Sequence, residues 1–378
     1  MRVSRSFLIA SALLVLLHFY IGARLLPDLG LNGFGWTIGV VVLIASCLLM
    51  PASMMTRPLE SRSLADRIAW AGLLMMGFFS SLFVLTLLRD IALLVAALVS
   101  TAQAAAMVRP SAAGVVVLAI LVTLIGFFNA RRRARVVEID VPIAKLPAQL
   151  HGFSIVQISD VHVGPTIKRG YVNAIVEAAN GLNADVIAIT GDLVDGSVQQ
   201  LAADVQPLSQ LTAKHGVYFV TGNHEYYSGA RAWTQELRKL GLTVLINEHV
   251  VLARDEASLV LAGVTDYTAH HFEPQSRSDP SAALHGAPLD AVKILLAHQP
   301  RSAPAAASAG FDLQLSGHTH GGQFWPWNLF VPLQQPFTAG LHRLGQLWVY
   351  VSRGTGYWGP PKRFGAPSEI TRIRLVAA

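Results

Sequence analysis

A chain of 378 residues that is 52% hydrophobic and only 14% charged falls well short of the roughly 25% charged residues of soluble domains, which places part of it in lipid. Its net charge of +6 is not the footprint of a nucleic-acid binder: residues 131–378 hold 21 Lys and Arg against 19 Asp and Glu, a net of +2, and −2 without the four arginines of "RRRAR" at 131–135. With Cys47 as the one cysteine, disulfides play no part.

From the N-terminus, five stretches carry no charge: 6–23, 29–56, 68–88, 91–108 and 110–130. A helical span needs roughly 20 mostly apolar residues, and all but 91–108, which ends in small and polar residues, are read as spans. Residues 1–130 are therefore expected to form a transmembrane region of about four helices. Arg2 and Arg5, then Arg57, Arg62 and Arg67, then "RRRAR" all fall on one side of such a bundle, while the opposite loops carry Arg24 with Asp28, and Arg89, Asp90 and Arg109. The excess of arginine marks the cytoplasmic face. The expectation is an integral protein of the inner or plasma membrane whose soluble part faces the cytoplasm.

A basic juxtamembrane linker is expected over 131–149, including "VVEIDVPIAKLPAQ" at 136–149. From 150 to 378 short apolar runs alternate with amphipathic segments. The runs 153–159, 185–190, 216–221, 259–264, 293–298, 311–316, 347–352 and 369–376 read as strands; helices are predicted near 169–181, 200–213, 230–240 and 301–309. That alternation gives an α/β layered domain.

Polar residues of metal-ligand type sit at the ends of successive strands. "ISDVH" supplies Asp160 and His162; "ITGDLVD" supplies Asp192 and Asp195; "VTGNHE" supplies Asn223 and His224. "LLAHQP" supplies His298, and "LSGHTH" supplies His318 and His320. Each alone has an ordinary explanation as a cap, a turn or a core histidine. Five such stations at strand ends, where ligands of α/β sheets gather, indicate one site.

The order D-x-H, G-D-x-x-D, G-N-H-E, an isolated His and G-H-x-H resembles the calcineurin-like metallophosphoesterase superfamily, in its membrane-anchored branch, over about residues 150–378. The resemblance implies a β-sandwich flanked by helices with a two-metal site, here preceded by an all-α transmembrane region. It implies that Asp160, His162 and His320 hold one metal and Asn223, His298 and His318 the other, with Asp192 bridging. Mixed Asp, Asn and His ligands suit Mn²⁺, with Fe or Zn²⁺ as alternatives. A metal-bridging hydroxide would then attack a phosphodiester or pyrophosphate bond. By the same resemblance His224 faces the substrate as general acid and Asp195 orients it. Protein phosphatases of the superfamily carry an arginine directly after G-D-x-x-D; here Gly196 and Ser197 stand there, which puts a phosphoprotein substrate in doubt. Arg353, Lys362 and Arg363 are read as loop-surface residues that either supply that positive charge instead or stand inert. "FWPWNLFVP" at 324–332, rich in interface-seeking tryptophan, motivates a lipid-linked phosphoester such as a nucleoside-diphosphate acyl sugar. The alternative is a non-catalytic membrane sensor or transporter with a phosphoesterase-like domain.

Overall fold

The computed structural model describes residues 5–56, 59 and 61–378; Arg2 and Arg57, two of the topology arginines, lie outside them. The chain divides into two compact units. One ends at Phe128 and takes in Gly359–Lys362; the other comprises Asn129–Trp358 and Arg363–Ala378.

The first unit is built on α1 (Arg5–Leu25), α2 (Gly33–Met54), α3 (Arg62–Val99) and α4 (Thr101–Arg131), each long and apolar enough to cross a membrane. They pack through Ile21, Met50, Phe79, Leu82 and Ala119. The weak fifth stretch, 91–108, is not a helix of its own: it is shared between the end of α3 and the start of α4, which break at Ser100. Arg89 and Asp90, read from sequence as loop residues, lie inside α3, and Arg109 lies inside α4. The helix runs through the charges because they are paired. Arg89 Nη2 donates to Asp28 at 2.5 Å, while Arg24 Nε and Tyr20 Oη donate to Asp90 at 2.9 and 2.7 Å. Paired charge is tolerated in apolar surroundings.

The second unit opens with β1 (Arg135–Ile143) and β2 (Ser154–Ile158), then α5 (Arg169–Asn180), β3 (Val186–Ile189), α6 (Val198–Val205), β4 (Val217–Phe219), α7 (Asn223–Ser228), α8 (Ala230–Lys239) and β5 (Thr243–Val244). It continues with β6 (Glu248–Arg254), β7 (Ala257–Gly263), α9 (Pro280–Ala283), β8 (Val292–Leu296), α10 (Ala303–Ala309), β9 (Leu313–Ser316), β10 (Gly340–Leu344), β11 (Leu347–Val351) and β12 (Glu369–Ala377). Two six-stranded sheets form, ordered β1-β12-β2-β3-β4-β5 and β10-β11-β9-β8-β7-β6. Their facing sides bury Ile155, Val186 and Ile373 from the first sheet against Leu259, Ile294 and Leu315 from the second. Helices cover both outer faces, α5 and α8 on the first sheet through Ile175, Trp233 and Leu237, and α10 on the second through Ala303 and Ala306. This is the helix-flanked β-sandwich.

One expectation is overturned in this unit. The segment read as a linker, 131–149, supplies β1, which pairs in parallel with β12 from Arg135↔Glu369 to Ile143↔Ala377. Its alternation of Val, Ile and charge gives a strand with one buried side, Val141 and Ile143, and its partner strand lies at the far end of the chain. Strands β2, β3 and β4 run parallel to one another, as do β8 and β9, so their carboxyl ends open on a common edge.

Candidate metal centre

Every sequence-predicted site residue lies at that edge. Asp160 and His162 follow β2, Asp192 and Asp195 follow β3, Asn223 and His224 begin α7 after β4, His298 follows β8, and His318 and His320 follow β9. Three groups of side chains converge closely enough to share an ion: Asp160 with His162 and His320; Asp192 with His298 and His318; and His162 with Asp192 and His224. Asp192 is common to the last two.

The loops that deliver these groups are tightly bent. Asp160, His162, Asp192, His318 and His320 all have φ between +51° and +69°, a region where a non-glycine residue costs on the order of 1–3 kcal/mol and which clusters at functional sites. Two glycines make the approach possible. A Cβ at Gly317 would lie 2.1 Å from Asp160 Oδ2, and one at Gly222 would lie 2.2 Å from Asp192 Oδ1. The two sheets are tied together here by the His318 N–H, which donates to Asp160 Oδ1 at 2.9 Å, and two loops of the first sheet are tied by the His224 N–H, which donates to Asp192 Oδ1 at 2.8 Å.

Ring nitrogens are aimed by their second partners. His298 Nδ1 donates to the Thr190 carbonyl at 2.7 Å, which leaves Nε2 facing Asp192 Oδ2 at 3.1 Å and His318 Nδ1 at 3.2 Å. His162 Nδ1 donates to Asp195 Oδ1 at 3.1 Å, and its Nε2 stands 3.0 Å from His320 Nε2. Asn223 Oδ1 is buried without a hydrogen-bond partner. Ring nitrogens and carboxylate oxygens crowded together in this way, with a buried amide oxygen left unpartnered on the neighbouring loop, are a donor set that fits a divalent cation. In metal-free protein burial of His298 is overcome by the charge of Asp192, which holds its pKa well above the ordinary value. Burial, followed by the charge of His298, holds His318 down to about 3, and burial with the nearby Arg363 guanidinium holds His320 well below its ordinary value. Neutral imidazole is the form a metal requires.

His224, which joins His162 and Asp192 in one of those groups, also has a carboxylate partner outside that group. Its Nδ1 donates to Asp195 Oδ1 at 2.5 Å and its Nε2 is 3.9 Å from Asp192 Oδ2. Burial opposes its protonation, but the charge of Asp192 and the Asp195 hydrogen bond outweigh it and push its pKa up to about 9. For Asp195 burial is likewise overcome, by His162 and His224, which hold its carboxyl well below the usual range.

Three residues have places that the sequence did not disclose. Glu225, fully buried, accepts from the backbone N–H groups of Asp192, Leu193 and Gly222 at 3.0, 2.8 and 2.6 Å, joining the two loops that carry Asp192 and Asn223; its signal was the acid closing "GNHE". Arg363 and Lys362 are not surface charges. Arg363 is fully buried, with Nη2 3.0 Å from His320 Nδ1 and Nη1 donating to the carbonyls of His320 and Arg353 at 3.0 and 2.7 Å. Lys362 belongs to the first unit, where Nζ donates to the Gly77 carbonyl at 2.8 Å and to Ser81 Oγ at 2.5 Å. Arg353 pairs with Glu369 at 3.1 Å.

Residues 153–322 match the family model described as calcineurin-like phosphoesterase. Among curated proteins the chain is 40% identical over 274 residues to a "transmembrane protein with metallophosphoesterase domain" of Danio rerio, a match covering 69% of this chain and 63% of that one. It is 40% identical over 256 residues to an uncharacterized metallophosphoesterase of Helicobacter pylori, covering 66% of each chain. A third, from Aquifex aeolicus, is 32% identical over 243 residues, 64% of this chain and 91% of that one. The chain thus spans somewhat less than two thirds of the length of the first relatives it matches. On the strength of these matches and of the side chains gathered at one edge of the sandwich, the chain belongs to the calcineurin-like metallophosphoesterase family.

Proposed function

We propose that the protein is a membrane-anchored, metal-dependent phosphoesterase that hydrolyses a phosphodiester or pyrophosphate bond. The observation that carries this reading is the meeting of Asp160, His162 and His320 in one group and of Asp192, His298 and His318 in another, linked by a third of His162, Asp192 and His224, with Asn223 Oδ1 buried and unsatisfied. Asp160, His162 and His320 would hold one cation and Asn223, His298 and His318 the other, with Asp192 shared; the mixed oxygen and nitrogen set favours Mn²⁺ over Mg²⁺ or Ca²⁺. When bound, such a pair supplies charge neutralisation for phosphoryl oxygens and acidity for an attacking water.

The chain's own groups do the rest. Asp195 fixes the His224 ring through Nδ1, so Nε2 carries the proton delivered to the leaving oxygen. With Asp192 engaged in holding a cation, its carboxylate would raise the His224 pKa less, which would bring the Nε2 proton within reach of transfer near neutral pH. Trp358 lies edge-on to the His224 ring, 5.8 Å between centroids, and screens that proton from bulk water.

Beside this site Trp325, Trp327, Phe330 and Trp358 stay 41–51% exposed. So much exposed aromatic surface close to a reacting centre suits an apolar substrate tail, and with four membrane-length helices in the chain it supports a lipid-linked phosphoester. The arginine clusters flanking α1, α3 and α4 support a cytoplasmic catalytic unit, residues 150–378 with β1 added to it. The test is Mn²⁺-dependent hydrolysis of bis(p-nitrophenyl) phosphate by the full chain in detergent, followed by mass spectrometry of membrane lipids incubated with it. Turnover that EDTA abolishes, with loss of a phosphorylated lipid, is expected. Metal-loaded protein that leaves the diester intact would overturn the reading, and an unchanged lipid profile would remove its lipid part.

A further inference from the structure

A second cleft, about 360 Å³ in volume, opens in the catalytic unit and is lined by Tyr267, His270, His271, Arg277, Ser278 and Ser302. One of its walls continues a metal-site strand, β8, and the other continues the neighbouring strand β7. Residues 264–280 run on from β7, and Ser302 lies four residues beyond His298 at the end of β8. The two walls are pinned together next to the centre: Gln299 Nε2 donates to both oxygens of Asp266 at 3.1 Å. Phe272, from the same wall, packs on Tyr226 and Tyr227 of α7, and the Tyr227 ring is 5.1 Å from that of His224.

The lining has one chemical character. Arg277 is exposed and its guanidinium has no ion-pair partner among the described residues. His270 and His271 stand with ring centroids 4.1 Å apart. Two lining atoms, His270 Nδ1 and Ser278 Oγ, are buried without any hydrogen-bond partner, although buried polar atoms are ordinarily satisfied. The acids of the same segment are engaged elsewhere. Asp266 accepts from Thr268 and Gln299, Glu273 from Ser276, and Asp279 from the N–H groups of Ser281 and Ala282. A guanidinium free of any carboxylate among the described residues, two imidazoles and two unsatisfied polar atoms, with no acid among the lining residues, form a site for an anion.

We propose that this cleft binds a second anionic group, a phosphate or carboxylate, carried by the substrate whose phosphoester bond lies at the metal centre. This rests on the phosphoesterase reading, and it narrows the substrate class to esters charged on both sides of an intervening linker. Free inorganic phosphate shares the chemistry and serves as a probe.

Two measurements on the full chain in detergent test it. The first compares two chromogenic phosphodiesters with one nitrophenyl leaving group, neutral on the other arm or bearing a phosphomonoester there. Wild type is expected to prefer the charged ester in kcat/KM by about 10–100-fold, the worth of a hydrogen bond to a charged group. Arg277→Gln and Ser278→Ala should erode that preference and leave the neutral ester within about twofold, since neither residue touches the reacting atoms. The second measurement titrates inorganic phosphate into metal-free protein by calorimetry, with Arg277→Gln and His270→Ala expected to weaken binding about tenfold or more. No preference in wild type, or a preference that survives both substitutions, overturns the subsite. Should neither ester turn over, the phosphoesterase reading fails and the calorimetry decides alone: phosphate affinity unchanged by Arg277→Gln and His270→Ala overturns the subsite.

Discussion

The Oδ1 atom of Asp195 lies 2.5 Å from Nδ1 of His224, and the same oxygen accepts from Nδ1 of His162 at 3.1 Å. One carboxylate therefore sets the orientation of the proposed general acid and of a proposed metal ligand together. Asp195→Asn should show both defects at once. Turnover should fall by about 10²–10³-fold, and metal affinity by about 10–100-fold, the usual cost of losing a ligand's second partner. Metal content by plasma emission after dialysis, beside steady-state rates, separates the two. A variant that keeps full metal affinity would show that the His162 contact is incidental.

His224→Ala should separate chemistry from metal binding. Metal content stays intact while turnover drops about 10²–10⁴-fold, and the defect shrinks for a leaving group that departs without a proton. His318→Ala and His320→Ala should instead lose metal, with partial rescue by excess Mn²⁺. An equal defect for His224→Ala across all leaving groups would remove it as the acid.

Asp192→Asn should abolish activity and lower bound metal below two ions per chain, because Asp192 belongs to two of the three converging groups. Full occupancy of two ions in the inactive variant would show that Asp192 is not shared.

Gly317→Ala is expected to fold and lose metal. The added methyl would sit 2.0 Å from Ser159 Oγ and 2.1 Å from Asp160 Oδ2, so the loop carrying His318 must back away from the loop carrying Asp160. Circular dichroism like wild type with metal affinity down at least tenfold is the expected pair of results; retained affinity would mean that the loops have slack.

In metal-free protein the His224 pKa, about 9 when folded against roughly 6.5 unfolded, fixes the direction of one pH effect. A raised pKa contributes stability that is fully present below the unfolded value and is lost as pH rises through the folded one. The contribution is at most roughly 3 kcal/mol. Melting temperatures of metal-free wild type should therefore fall between about pH 7 and 10 more steeply than those of His224→Ala. Parallel curves would show that Asp192 and Asp195 do not hold the proton there.

The sequence by itself determined the features written in local patterns. Eight apolar runs with the right period became strands, amphipathic stretches became α5, α6, α8 and α10, and four long apolar stretches became four membrane-length helices. The polar residues closing β2, β3, β4, β8 and β9 were legible because a ligand-bearing loop must begin where a strand ends. Tertiary structure decided whatever depended on distant partners. Residues 135–143 look like a linker until β12, more than two hundred residues later, offers them a parallel edge. Arg89 and Asp90 read as a loop until Asp28, Arg24 and Tyr20 neutralise them inside a helix. Lys362 and Arg363 read as exposed charge, yet burial with carbonyl and hydroxyl acceptors makes them internal. The double duty of Asp195 follows from two loops meeting across adjacent strands, and a one-dimensional motif does not encode that distance. Local chemistry repeats along the chain and can be read from it, whereas the compensation of a buried charge or of a bare strand edge exists only once the chain has closed upon itself.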